Sequence, residues 1–158
     1  MRSTPSNHSP RKPTLAARLI VRACLCLSII ISGLALRGFG SNLGLPSFIV
    51  KYGGSVLWGT MVFFLVALAA SRLSRWRVGL ISASIAICVE LFRLVHAPWL
   101  DAFRLTTAGA LLLGRIFSPW NMLAYGAGIV LGMWLDRLGI SVFARARLSA
   151  RDAPHSAS

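Results

Sequence analysis

The residues of this chain best equipped for chemistry stand in one stretch, ELFRLVHAPWLDAFR, residues 90–104. Glu90 and Arg93 are three residues apart, and so are Asp101 and Arg104, so on a helix each acid shares a face with a base. His96 lies between the two pairs, shortly before Pro98. Carboxylates and imidazole transfer protons, and guanidinium groups hold phosphate oxygens. Glu90, His96 and Asp101 are therefore the candidate catalytic groups, and Arg93 and Arg104 the candidate ligand-binding groups. The same spacing also fits two structural ion pairs that fix a turn, a common use of paired charges. No other segment offers a nucleophile beside a base, an HExxH zinc pair or a glycine-rich phosphate loop. Cys24, Cys26 and Cys88 sit in apolar surroundings without CxxC spacing, so neither a metal nor a cofactor is expected.

The elements that must position these groups follow from composition. The chain has 158 residues, 56% of them apolar and 13% charged, whereas a soluble domain carries about 25% charged residues. Seventeen Lys and Arg face four acids, for a formal net charge of +13. The basic residues cluster at the ends of apolar runs, which is the pattern of membrane loops and leaves no free basic face for nucleic acid.

A helix needs about twenty residues to cross a hydrocarbon core of about 30 Å, because it rises about 1.5 Å per residue. Four stretches come close: residues 15–36, 54–70, 78–94 and 120–135. The first carries Arg18 and Arg22 one turn apart, with stems long enough to snorkel to the interface. The third carries Glu90 and Arg93, and the fourth starts after Pro119 and ends at Asp136. A fifth stretch, 105–117, is short and interrupted by Arg115, which suits a re-entrant or interfacial helix. The expected fold class is thus all-α, a polytopic membrane protein of four transmembrane helices plus that short segment. Residues 1–14 read as a disordered basic tail, 15–138 as the membrane domain and 139–158 as a basic cytoplasmic tail.

Charge orients the spans. With four spans and the N-terminus inside, twelve Lys and Arg fall on the inner side and five on the outer; a fifth span would leave nine against eight. Both termini are therefore expected in the cytoplasm. Ala124, Gly128 and Gly132 form two small-xxx-small steps on one face of the last span and are the candidate helix-packing residues, open to a homo-oligomer or another membrane subunit. Trp58, Trp99, Trp120 and Trp134 fall near span ends or in the outer loop, where an aromatic belt would place them.

Three segments, LPSFIVKYGGSVLWGTM (45–61), VELFRLVHAPWLDAFRLTTAGALLLGRIF (89–117) and NMLAYGAGIVLG (121–132), together resemble the bacterial membrane family catalogued as domain of unknown function 2809. The resemblance runs over about residues 20–138. The matching positions are Lys51, Tyr52, Gly54, Trp58, Glu90, Trp99, Asp101, Arg104, Gly109, Gly114, Tyr125 and Gly128. By the same resemblance an acid is expected where Ser55 stands, a glutamine where Arg93 stands and an acid where Asn121 stands. The layout is also similar to that of VanZ-like membrane proteins, an analogy of layout alone.

The resemblance implies a bacterial inner membrane and a topology, and no reaction. The residues themselves suggest a site on the outer side that binds or modifies an envelope lipid or lipid-linked molecule, with Arg93 or Arg104 on an anionic headgroup or lipid phosphate. The alternatives are a non-catalytic structural or partner subunit and a small transporter. A reporter enzyme fused after Ala150 is expected to report the cytoplasm; a periplasmic signal would reject the four-span order.

Overall fold

The computed structural model describes residues 14–40, 42–92, 94, 95, 97–106, 109 and 119–152, with the backbone alone for Arg104 and residues 144–152. Among the described residues every regular element is a helix: α1 (Leu15–Phe39), α2 (Ser47–Ala69), α3 (Arg75–Phe92), α4 (Pro98–Leu105) and α5 (Pro119–Asp152). Three segments, Leu15–Phe39, Ser47–Ala69 and Pro119–Phe143, are long and apolar enough to cross a membrane. The third predicted span corresponds to α3, whose 18 residues include Arg75, Arg77 and Glu90 and fall short of that measure.

Local sequence explains the ends. The hydroxyl of Thr14 accepts the Ala17 N–H at 3.4 Å and caps α1. Gly40 and Gly44 make the turn into α2: the Leu45 N–H returns to the Gly40 carbonyl at 3.0 Å, and Gly44 has φ +71, a conformation glycine adopts without a Cβ penalty. Pro46 then caps α2, its carbonyl accepting the N–H groups of Ile49 and Val50. The helix therefore starts seven residues before the predicted 54, with Lys51 inside its second turn. Pro98 opens α4, and Asp101 in its first turn complements the positive end of the helix. The predicted short segment 105–117 lies outside the described residues except Leu105, Thr106 and Gly109; α4 is the short helix the structure describes.

α2 is the central element, packed on α1, α3 and most extensively on α5. The α2–α5 approach is close because glycines face backbone. A Cβ on Gly128 would collide with the Val56 carbonyl oxygen, one on Gly59 would come within 2.6 Å of the Tyr125 carbonyl oxygen, and one on Gly132 within 2.8 Å of the Phe63 ring. The Thr60 hydroxyl lies 2.9 Å from the Val56 carbonyl and 2.8 Å from the Gly128 carbonyl, sharing one proton across the crossing. Ala124 is buried on the same side of α5. The Ala124, Gly128 and Gly132 ridge thus serves a contact within the chain. Trp58 packs against Tyr125, ring centroids 4.8 Å apart and planes tilted by 48°, whereas Trp99, Trp120 and Trp134 are exposed.

The core below this crossing is Phe63, Phe64, Ala67, Val78, Ala86 and Ile129, with Cys26 and Ile29 contributed by α1. Gly128→Leu is expected to force α2 and α5 apart, with a loss of about 3 kcal/mol or more by overpacking against backbone. Thermal unfolding in detergent checks this; an unchanged midpoint would remove the close crossing.

Candidate functional site

The two ends of the bundle differ in chemistry. At the end where α2 and α5 start and α3 finishes, Glu90 is fully buried (0% exposed) and Asp101, on α4, is partly buried. Arg93 and His96 lie outside the described residues, and Arg104 is described only as part of the α4 backbone. Of the sequence-predicted site, the structure therefore places Glu90 inside the helix packing and Asp101 on the short helix that follows.

Two other residues meet at this end. The Ser55 hydroxyl is 3.4 Å from Asn121 Oδ1 and 3.2 Å from the Lys51 carbonyl, and Asn121 is buried. These are two of the three positions at which the resemblance implies different residues, and they face each other across the α2–α5 crossing. Two acids there would put like charges side by side in a low-dielectric setting, whereas a hydroxyl and an amide satisfy each other without charge.

One turn before Glu90 on α3, an apolar cleft opens between α3 and α5. Its volume is about 140 Å³, and it is lined by Ala83, Ala86 and Ile87 on α3 and by Met122, Tyr125, Gly126 and Ile129 on α5. Small-molecule pockets run from about 300 Å³ upwards, so this space suits a few methylene groups of a larger ligand rather than a whole one. A Cβ built on Gly126 meets nothing within 4 Å, so the cleft is open where that residue stands.

At the opposite end lies a charge cluster that sequence reasoning missed. Arg22 on α1 grips Asp136 on α5 with both arms of its fork, Nε to Oδ1 at 2.7 Å and Nη2 to Oδ2 at 3.2 Å. Its remaining nitrogen, Nη1, donates to the Ala67 carbonyl at 2.8 Å. Ala67 is in the last turn of α2, where carbonyls have no partner within the helix, so Arg22 satisfies one of them. Arg75, at the start of α3, donates Nε to Asp136 Oδ2 at 2.9 Å. Asp136 is 0% exposed and Arg22 3%, so the expectation that Arg22 snorkels to the interface is corrected. Its partner is inside the bundle, and a bidentate carboxylate offsets the desolvation of a guanidinium that would otherwise have to reach water.

The cluster joins a residue or carbonyl from each of the four long helices. Both Asp136 oxygens are occupied by guanidinium donors, which makes this carboxylate a positioning group. The sequence shows an acid at the end of the last apolar run and an arginine inside the first, and nothing in it pairs them. Among the described residues no group of three His, Cys, Asp or Glu side chains comes together to hold a metal.

A chain whose described residues form helices alone, three of them apolar and of spanning length with ionic groups buried among them, has the construction of a multi-pass membrane protein. Residues 44–129 match the family described as Protein of unknown function (DUF2809), and the chain belongs to that family. The match takes in Ser55, Arg75, Glu90, Asp101 and Asn121, and leaves Arg22 and Asp136 outside it. No solved structure matches the chain.

Proposed function

We propose that this chain is a four-span protein of the bacterial cytoplasmic membrane that binds an envelope lipid or lipid-linked molecule at its outer end. Support for the fourth span comes from α3, which packs against both α2 and α5 and begins at the same buried carboxylate that stands at the middle of α5. Its apolar middle lies between charged ends, Arg75 and Arg77 on one side and Glu90 on the other, as in a span that meets polar ground at both faces. In this up-and-down order α1 starts, α2 finishes and α3 starts at the Asp136 end, where the positive-inside rule puts the cytoplasm. Both termini are then cytoplasmic.

The observation that carries the lipid reading is the cleft between α3 and α5, one turn below Glu90. An acyl chain lying against Ala83, Ala86 and Gly126 would bring its polar head to the end of α3, where Glu90, Arg93, Asp101 and Arg104 follow one another in sequence. There arginine suits a phosphate and a carboxylate suits a hydroxyl or amine of the headgroup. Tyr125, packed against Trp58, forms part of the wall. The partner-subunit reading is weaker, because the glycine ridge that carried it is used within the chain.

Gly126→Leu tests the reading without a clash, since the added carbons enter open space. The variant is expected to keep the thermal midpoint of the parent or raise it slightly, because glycine costs a helix about 1 kcal/mol relative to good helix formers. Lipid co-purifying with the native protein, identified and counted by mass spectrometry, should fall severalfold. Undiminished lipid in a folded Gly126→Leu protein would reject the cleft as the binding place.

A further inference from the structure

The Asp136 end of the bundle holds more positive charge than its one carboxylate neutralises. Arg22 has all three nitrogens engaged, and the two Asp136 oxygens accept three donors from Arg22 and Arg75. Arg18 stands one turn before Arg22 on the same face of α1, and its Nε is buried with no hydrogen-bond partner among the described residues. Glu90 and Asp101 are at the other end, and Asp152 is sixteen residues beyond Asp136, about 24 Å further along α5. A buried guanidinium N–H without an acceptor is costly, and no carboxylate of the bundle is left to supply one.

Further cations surround this end. Arg75 keeps 42% of its side chain exposed while holding Asp136 through Nε alone, so the rest of its fork is available. Arg72 and Arg77 are exposed on the turn and first turn beside it. Trp76, 67% exposed between Arg75 and Arg77, is the residue type that settles at the headgroup level of a bilayer. An apolar bundle ending in arginines, with an interfacial tryptophan and an orphaned guanidinium nitrogen, fits an acceptor that is anionic, oxygen-rich and held at the membrane surface.

We infer that Arg18 and Arg75, with Arg72 and Arg77 around them, bind the phosphate of an anionic phospholipid in the leaflet at the Asp136 end. The phosphodiester oxygens accept from the partly exposed Arg18 guanidinium and the free arm of Arg75, and the net negative headgroup offsets the charge that Asp136 leaves over. This site is separate from the α3–α5 cleft and stands or falls independently of it.

The test uses the full chain in nanodiscs of phosphatidylcholine with a titrated fraction of phosphatidylglycerol, bound lipid being read by native mass spectrometry. Arg18→Gln removes a group with no protein partner through its Nε, so folding is kept, and phosphatidylglycerol binding is expected to weaken about fivefold, the worth of one surface cation. Arg77→Gln, an exposed position, should weaken it in the same direction, while Arg37→Gln at the far end and Gly126→Leu in the cleft leave it unchanged. Equal binding by parent and both Arg18→Gln and Arg77→Gln would overturn the site. So would displacement of the lipid by millimolar inorganic phosphate, which would make this a site for free anions.

Discussion

One buried carboxylate, Asp136, sets the geometry of one end of the bundle. It lies under the arginine fork of Arg22 and beside Arg75, and Arg22 reaches past it to the last turn of α2. An ion in a low-dielectric interior is tolerated only when paired and hydrogen-bonded, so each group requires the others. Removing one partner of such a pair costs about 3–5 kcal/mol, because the other is left buried and charged. α1, α2, α3 and α5 are thereby tied at a common level. The order of the helix ends follows from that tie.

The rest of the packing is apolar and close. With lipid on the outside, helices gain little from burying apolar surface and must gain from contact, which favours glycine where backbones cross. Gly59, Gly128 and Gly132 bring α2 against α5, and Thr60 joins the two backbones by a hydrogen bond. α3 closes on this pair less completely. Its small residues Ala83 and Ala86, opposite Gly126, leave the cleft that the proposed lipid chain occupies. Tight packing on one face of α5 and open space on another thus come from the same residue type, used against backbone in one place and against nothing in the other.

Much of this was legible in the sequence. Apolar length located the helices, because a spanning helix must be continuous, and the segments shared with the family were visible as motifs. The span 54–70 starts later than α2 because it counts only the uncharged run, although a lysine in the second turn of a helix can extend its stem to water; Pro46 marks the true start. The ion cluster was not legible. Arg22 and Asp136 are 114 residues apart, and nothing local to either distinguishes a snorkelling arginine or a span-ending aspartate from a buried pair. The facing of Ser55 and Asn121 was hidden for the same reason, being a matter of register between α2 and α5. Glu90 stood out in the sequence as a candidate catalytic acid in the third apolar run, and the structure places it buried in α3; its neighbours Arg93 and His96 lie outside the described residues.

The tie at Asp136 is tested most directly by a double-mutant cycle in unfolding free energy, comparing Arg22→Met, Asp136→Leu and the double variant in the same detergent. Asp136→Leu alone should be strongly destabilising, since it strands Arg22 with only the Ala67 carbonyl. The double variant should recover most of that loss, with a coupling of about 1–3 kcal/mol. Single effects that merely add, or an Asp136→Leu protein as stable as the parent, would contradict the buried ionic tie between the helices.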